Sequence, residues 1–425
     1  MKEFKAIAVE TKIVGPLDMD HPLQRTSLYW LALGTFAVGT EGFMIAALLP
    51  AIAADLSVSL QAAGQLVTAF ALTYAVSSPL LTVLTGGFDR RKLLVTSMAV
   101  FAAANIVASA ASGYWFLLVA RVLLAIAAGL YVPGANALAG ALVAPEWRGR
   151  ALAIVNGGLS LAVALGVPLG ALVGAHFGWR SSFVGVAVLA TAAFSGLLFG
   201  IPRGIGAGLA VATLRERLAV VRQPGALPIL FVTTLWAVGT YTVYTYIAPY
   251  LTTVVGLKGA QIGYVLFLWG LAAFLGLILG GVATDKIAGH HVIAVALPLL
   301  AVALTSFSLS AWFLTRTNAL VPVLVAVSVW GLAAWSFFPA QQARLIGVSG
   351  LKGASVILSL NASFMYLGFS LGAAALGSLT LANRTVADLG WVGGGLVLAS
   401  FSLSVWPEIQ VDRVAHGRTH SIRNR

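Results

Sequence analysis

The sequence predicts an all-α membrane protein: twelve transmembrane helices in two six-helix bundles, with the N- and C-termini cytoplasmic. Three observations predict it. The 425-residue chain is 60% hydrophobic and only 9% charged, whereas a soluble domain carries about 25% charged residues. Twelve apolar runs follow one another, each near the roughly 20 residues that a helix needs to cross a bilayer. The basic residues then fall on one side of the resulting topology.

Taken in order, residues 1–27 hold Lys2, Lys5, Lys12 and Arg25 but no apolar core of signal-peptide type, so they read as a cytoplasmic leader ahead of an uncleaved first helix. The N-terminal six-helix bundle, 28–201, contains apolar segments at 28–53, 61–84, 93–112, 114–142, 151–177 and 182–201. Residues 202–226 form the longest polar connection and read as a central cytoplasmic linker. Within it Leu214, Leu218 and Val221 recur at helical spacing beside Arg215, Glu216, Arg217 and Arg222, which suggests a short amphipathic surface helix ended by Pro224 and Gly225. The C-terminal bundle, 227–406, contains segments at 227–251, 260–283, 292–314, 319–340, 354–382 and 391–406, and a basic cytoplasmic tail, 407–425, follows.

With a cytoplasmic N-terminus, 20 of the 25 lysines and arginines lie on the inside and only Arg180, Lys258, Arg316 and Arg384 outside; Arg121 lies within a span. That bias supports an even number of spans with both termini in the cytoplasm. It also accounts for the net charge of +12 without nucleic acid, because the basic residues are spread over short loops and tails. An internal repeat supports the two bundles. Pro50 precedes Gly64 by 14 residues, and Pro249 precedes Gly263 by the same 14. The turns after segments 2 and 8 are GGFDRRK and GGVATDK. Parallel repeats of this kind mark many secondary transporters. The 199-residue offset places Thr240 opposite Glu41, so the acid exists in one half only.

Glu41 is the strongest site candidate. A charged side chain at the bilayer midplane costs roughly 2.5–3.5 kcal/mol on insertion scales and faces a cavity, a partner or a proton pathway. It reads either as a buried carboxyl that binds and releases a proton or as a structural carboxyl bonded between helices. Arg121, two turns into segment 4, either tunes such a carboxyl, meets a substrate, forms a fixed structural pair or snorkels outward. Asp89 beside Arg90, Arg91 and Lys92 reads as a conformational switch loop, and equally as a plain orientation signal. Gly166, Gly170 and Gly174 allow close helix packing, and Pro168 a kink. Asn136, Tyr241, Tyr244 and Trp335 are the substrate-cavity candidates among the polar and aromatic groups inside spans, which also include Asn156, Trp236, Trp269, Trp330 and Asn361; packing and interface belts compete for each. Enzyme chemistry finds little footing. There is no cysteine, no phosphate-binding loop, no nucleophile elbow and no metal signature.

On these residues the chain resembles the major facilitator superfamily, and within it the drug:proton antiporter branch of arabinose (sugar) efflux, chloramphenicol-resistance and purine nucleoside efflux permeases. The resemblance covers about residues 27–407. It is carried by GTEGFMIAALLPAIAADLSVSLQAAGQLVTAFAL (39–72), RRKLL (90–94) and GVPLGALVGAHFGWRSSF (166–183). Arg121 falls on that superfamily's helix 4 arginine, and Asp89 and Arg90 on the acid–base pair of its helix 2–3 loop. The loop motif is shortened, and Val167 stands between Gly166 and Pro168. The resemblance implies a carrier of the bacterial inner membrane, monomeric, with alternating access and the proton gradient as its energy source. Its partners would be a small-molecule substrate, protons and membrane lipid, with no cofactor, no metal and no nucleic acid. Proton-coupled export is the leading expectation, with Glu41 and Arg121 as the coupling groups. Uptake by symport or uniport is the alternative, and a polytopic enzyme or sensor the third.

Overall fold

The computed structural model describes residues 22–144, 147–202 and 213–405. Residues 1–21 of the expected leader, 203–212 of the linker and the whole expected tail, 407–425, lie outside the described residues. Among the described residues twelve helices are long and apolar enough to cross a membrane. The first six are α1 (Thr26–Asp55), α2 (Leu60–Leu84), α3 (Arg90–Ser109), α4 (Tyr114–Leu142), α5 (Arg148–Phe177) and α6 (Trp179–Gly200). The second six are α7 (Ala226–Tyr244), α8 (Ala260–Lys286), α9 (Gly289–Phe313), α10 (Arg316–Gly350), α11 (Gly353–Ala382) and α12 (Val386–Val405).

The repeat seen in the sequence recurs in the packing. In the first bundle α1 lies on α5, α2 on α4 and α3 on α6. In the second, α7 lies on α11, α8 on α10 and α9 on α12. Between bundles, α2 meets α11 and α5 meets α8, two contacts that the repeat exchanges. Both extend to the end of the molecule where the odd-numbered spans finish. There Gln65, in the second turn of α2, donates to Ser378 Oγ late in α11 at 3.0 Å. Tyr246, just past α7, bonds the same Ser378 at 2.8 Å and the Ala373 carbonyl at 3.2 Å. Its hydroxyl sits where a Cβ on Gly64 would be, 2.1 Å away. At the repeat-related position, a Cβ on Gly263 of α8 would meet Leu172 of α5 at 2.9 Å. We call this the closed end and the opposite one, with Arg90–Lys92, Arg148, Arg150 and Lys286, the basic end. At the basic end, added Cβ atoms on Gly140, Gly149, Gly157 or Gly347 would meet nothing within 4 Å.

Local chemistry sets where the helices start and bend. Asp89 caps α3 by accepting from the Lys92 amide at 2.9 Å, as N-cap carboxylates do, so α3 starts at Arg90 rather than at 93. Pro168 has no N–H to offer the Ala164 carbonyl, and α5 accommodates this with a π-turn at Ala162–Gly166. Pro249 likewise leaves the Thr245 carbonyl without its helical donor. The seventh segment breaks there: α7 ends at Tyr244, a turn follows, and a short helix and a π-turn run on to Val255.

Helix α10 corrects the sequence reading, which ended the tenth segment at 340. The helix runs ten residues further, to Gly350, whose φ is +66°. Pro339 costs only the Trp335 carbonyl's bond, which neighbours in a bundle tolerate. The polar residues beyond it form a helix face packed on α7. Gln341 is fully buried and donates to the Ile229 carbonyl at 2.6 Å and to Thr233 Oγ1 at 3.0 Å. Leu345 is buried with Ala226, Leu230 and Ile357. Hydropathy alone truncates such a helix because its emergent turns are polar on average.

The linker helix, Leu214–Val221, is opened by a capping box in which Thr213 accepts from the Glu216 amide and Glu216 accepts from the Thr213 backbone. The backbone N–H and then the hydroxyl of Thr213 hold the exposed Glu216 carboxyl below the usual range. Its buried side differs from the amphipathic face of the sequence reading. Val220 and Arg217 turn into the second bundle, Val220 inserting beside Ala226 and Leu345, while Leu218 is 46% exposed.

Candidate functional site

Glu41 lies at the middle of α1 and Arg121 two turns into α4, and both side chains are fully buried. They form an ion pair between Arg121 Nη1 and Glu41 Oε1. Arg121 is fixed twice more. Its Nε donates to the Leu66 carbonyl of α2 at 3.2 Å, a carbonyl with a second lone pair to spare. Its guanidinium carbon stands 4.4 Å over the Phe70 ring, where the ring's negative face attracts a cation. One acceptor and one donor position stay unused: among the described residues Glu41 Oε2 and Arg121 Nη2 meet no hydrogen-bond partner. Buried polar atoms are nearly always paired, so this pair is half-satisfied, with one acceptor and one donor left over.

The helix 5 glycines place the acid. A Cβ on Gly166 would meet Thr40 Oγ1 at 2.0 Å, and one on Gly170 would meet Met44 Sδ at 2.8 Å. The motif therefore presses α5 against α1 on either side of Glu41. In the second bundle the position related to Glu41 by the repeat, Thr240, bonds only carbonyls of its own helix, Trp236 at 2.9 Å and Ala237 at 3.1 Å.

Aromatic rings from both bundles surround the pair. Tyr74 of α2 stacks on Tyr366 of α11 with centroids 3.8 Å apart, and Phe70 lies 6.4 Å from Tyr366. Tyr241 of α7 stacks on Phe369 of α11 at 3.6 Å. Phe43, two residues beyond Glu41, lies between 6.3 and 6.4 Å from Tyr241, Tyr244, Trp335 and Phe369. Tyr244 donates across the bundles to the Phe43 carbonyl at 3.0 Å. Tyr241, Tyr244 and Trp335 thus join one cluster with the ion pair at its edge. The sequence reading missed Phe43, Phe70, Tyr74, Tyr366 and Phe369. The spacing of Phe70 and Tyr74, and of Tyr366 and Phe369, puts each pair on one helix face, but the same spacing serves ordinary packing.

Two groups of candidates stand apart. Asn136 lies 15 residues beyond Arg121, about 22 Å along α4, toward the basic end. There it exchanges amide bonds with Asn156 of α5 at 3.0 and 3.4 Å. Asp89, Arg90 and Arg91 also lie at the basic end. Asp89 is the α3 cap, Arg90 is buried, and Arg91 ties the start of α3 to the end of α6 through the Ile201 carbonyl at 2.7 Å and the Leu198 carbonyl.

This arrangement is a charge-neutral, water-poor pair with spare bonding capacity, set among aromatic faces where two six-helix bundles meet. The sequence matches the Major Facilitator Superfamily over residues 31–373. The chain belongs to this superfamily. It is a multi-pass membrane transporter, not an enzyme. It is 34% identical to the MFS-type transporter YbcL of Bacillus subtilis over 373 residues, 88% of this chain and 93% of the relative. It is 33% identical to a chloramphenicol resistance protein of Streptomyces lividans over 376 residues, 87% of this chain and 93% of the relative. The fold is shared with the nucleoside transporter NupG, at a TM-score of 0.70 and 10% identity, over 89% of this chain and 99% of that one. The human organic anion transporter MFSD10 gives a TM-score of 0.65 at 16% identity, over 90% of this chain and 98% of that one.

Proposed function

We propose that this protein is a proton-coupled exporter of small molecules in the bacterial inner membrane, working as a monomer by alternating access. The observation that carries the reading is the buried Glu41–Arg121 pair with its spare acceptor and donor. With Glu41 ionised, the pair is neutral and stable in a medium of low dielectric. Protonation of Glu41 leaves Arg121 as an uncompensated cation, a costly state that favours hydration and opening of the cleft. A substrate entering from the cytoplasm and bonding to the spare positions displaces the proton, and the proton gradient resets the cycle. Each proton moved inward yields roughly 2.3 kcal/mol per 100 mV.

The 20 basic residues assigned to one side support a cytoplasmic basic end and a periplasmic closed end, so the conformation described is shut to the outside. The leader, linker and tail then lie in the cytoplasm. The mainly aromatic lining supports drugs, nucleosides or sugars with apolar faces as substrates, and the chloramphenicol resistance relative makes chloramphenicol the first probe.

The test is uptake of radiolabelled chloramphenicol, a nucleoside and a sugar into proteoliposomes under an imposed pH gradient. The reading expects a gradient-driven flux of at least one compound that Glu41→Gln abolishes, while gradient-free exchange of the same compound persists. A flux that the pH gradient does not change, or that Glu41→Gln leaves coupled, contradicts it.

A further inference from the structure

Outside the transport site two buried arginines, Arg90 and Arg217, have no counterion among the described residues, and Arg217 of the two is the one on the linker. Arg217 of the linker helix is only 6% exposed, and among the described residues no carboxylate pairs with it. Its single hydrogen bond to protein is from Nη1 to Ser359 Oγ of α11, at 3.2 Å. The Nε–H is buried without an acceptor. Nε and Nη2 form the other edge of the guanidinium fork, the edge that meets a carboxylate or phosphate with two parallel bonds. The nearest acid in the chain does not fill it: Glu216 is exposed and committed to Thr213 in the capping box. A buried, unpaired guanidinium is among the most costly arrangements a protein can hold, so the vacant edge points to an anion from outside the chain.

The setting indicates which anion. Arg217 lies on the linker helix at the basic end, nine residues before α7 begins at Ala226, a position that suits the headgroup level of a bilayer. Arg215 and Arg222 of the same segment are exposed, and so is Leu218. Basic side chains around an exposed leucine suit a surface of acidic lipid, with phosphates for the arginines and acyl chains for the leucine. We propose that Arg217 binds the headgroup phosphate of an anionic phospholipid through its Nε–Nη2 edge. With its other edge neutralised by the lipid, Arg217 keeps its bond to Ser359 of α11, whose Tyr366, seven residues further on, stacks on α2 of the other bundle. The linker is thereby anchored to a helix at the bundle interface.

The test compares thermal unfolding of the full-length wild type, Arg217→Met and Arg217→Lys in detergent, followed by the fluorescence of the eleven tryptophans. Each is measured alone, with phosphatidylglycerol, with phosphatidylcholine and with inorganic phosphate. Phosphatidylglycerol is expected to raise the wild-type Tm by several degrees and Arg217→Met far less, with Arg217→Lys between them. Without lipid, Arg217→Met is expected to be at least as stable as the wild type, because it carries no unpaired buried charge; phosphatidylglycerol reverses that order. Native mass spectrometry should count one phosphatidylglycerol fewer on Arg217→Met. Where that variant does not fold, Ser359→Ala, which frees the anchored Nη1, should reduce the lipid-dependent shift. Equal shifts in the wild type and Arg217→Met overturn the proposal. So does a shift with inorganic phosphate that phosphatidylglycerol does not produce, since it assigns the edge to a free anion.

Discussion

Gly64→Ala tests how the closed end is held. A Cβ at this position lands 2.1 Å from the Tyr246 hydroxyl and 2.8 Å from its Cζ. Tyr246 is fully buried and bonded to Ser378 and to the Ala373 carbonyl, so moving it away breaks both bonds and its packing. Overpacking a tight contact costs about 1–3 kcal/mol, and here the cost falls on the closed arrangement alone, because the contact spans the two bundles. A bias of that size changes the balance of conformers by roughly 5- to 150-fold. The chain has no cysteine, so Ala54→Cys and Lys258→Cys, both exposed at this end and on opposite bundles, accept spin labels specifically. Pulsed dipolar distances between them should lengthen in Gly64→Ala. Adding Tyr246→Phe, which removes the colliding oxygen, should return part of the population to the short distance. An unchanged distance distribution in Gly64→Ala would refute the view that this contact holds the closed end together.

Further outcomes follow from the same structure. Glu41→Gln leaves Arg121 buried without its counterion and should destabilise the fold by about 3–5 kcal/mol; the double variant Glu41→Gln, Arg121→Met should recover most of it, and equal melting temperatures for single and double variants would count against a load on the pair. Adjacent glycines of α5 should respond with opposite signs. A Cβ on Gly158 meets the Ala32 carbonyl oxygen of α1 at 2.1 Å, while one on Gly157 meets nothing within 4 Å. Gly158→Ala should lower the Tm by more than the overpacking of a flexible side chain would. Gly157→Ala should hold or raise it, because alanine favours the helix by about 0.8–1 kcal/mol. As pH falls through the depressed titration of Glu216, its cap on the linker helix should be lost, seen as faster amide exchange at Thr213 and Glu216; the cap holds at higher pH, where the carboxylate is ionised.

Hydropathy and charge made the span count, the repeat and the two intramembrane ions legible, because each is a large effect: a missing hydration shell, a charged loop, an ion in hydrocarbon. Their pairing was one option among several in the sequence, since Glu41 and Arg121 are 80 residues apart and only the packing of α1 on α4 joins them. The aromatic cluster was half legible. Tyr241, Tyr244 and Trp335 lie in the cluster, but Phe70, Tyr74, Tyr366 and Phe369 do not differ in type from the packing residues of any apolar span. Asn136, a polar residue in a span, bonds Asn156 about 22 Å along the helix from Arg121, a pairing that nothing in the sequence indicates. The far turns of α10 were hidden because a helix leaving the bilayer keeps its geometry while losing its hydropathy.

In the proposed cycle Glu41 exchanges a proton for substrate. Proton release from the purified protein in weakly buffered detergent solution, on addition of chloramphenicol, a nucleoside, a sugar and a cationic drug, tests it most directly. The account predicts that at least one compound releases protons from the wild type and none from Glu41→Gln. Binding accompanied by the same proton count in both proteins would make Glu41 a structural partner of Arg121 and contradict the account.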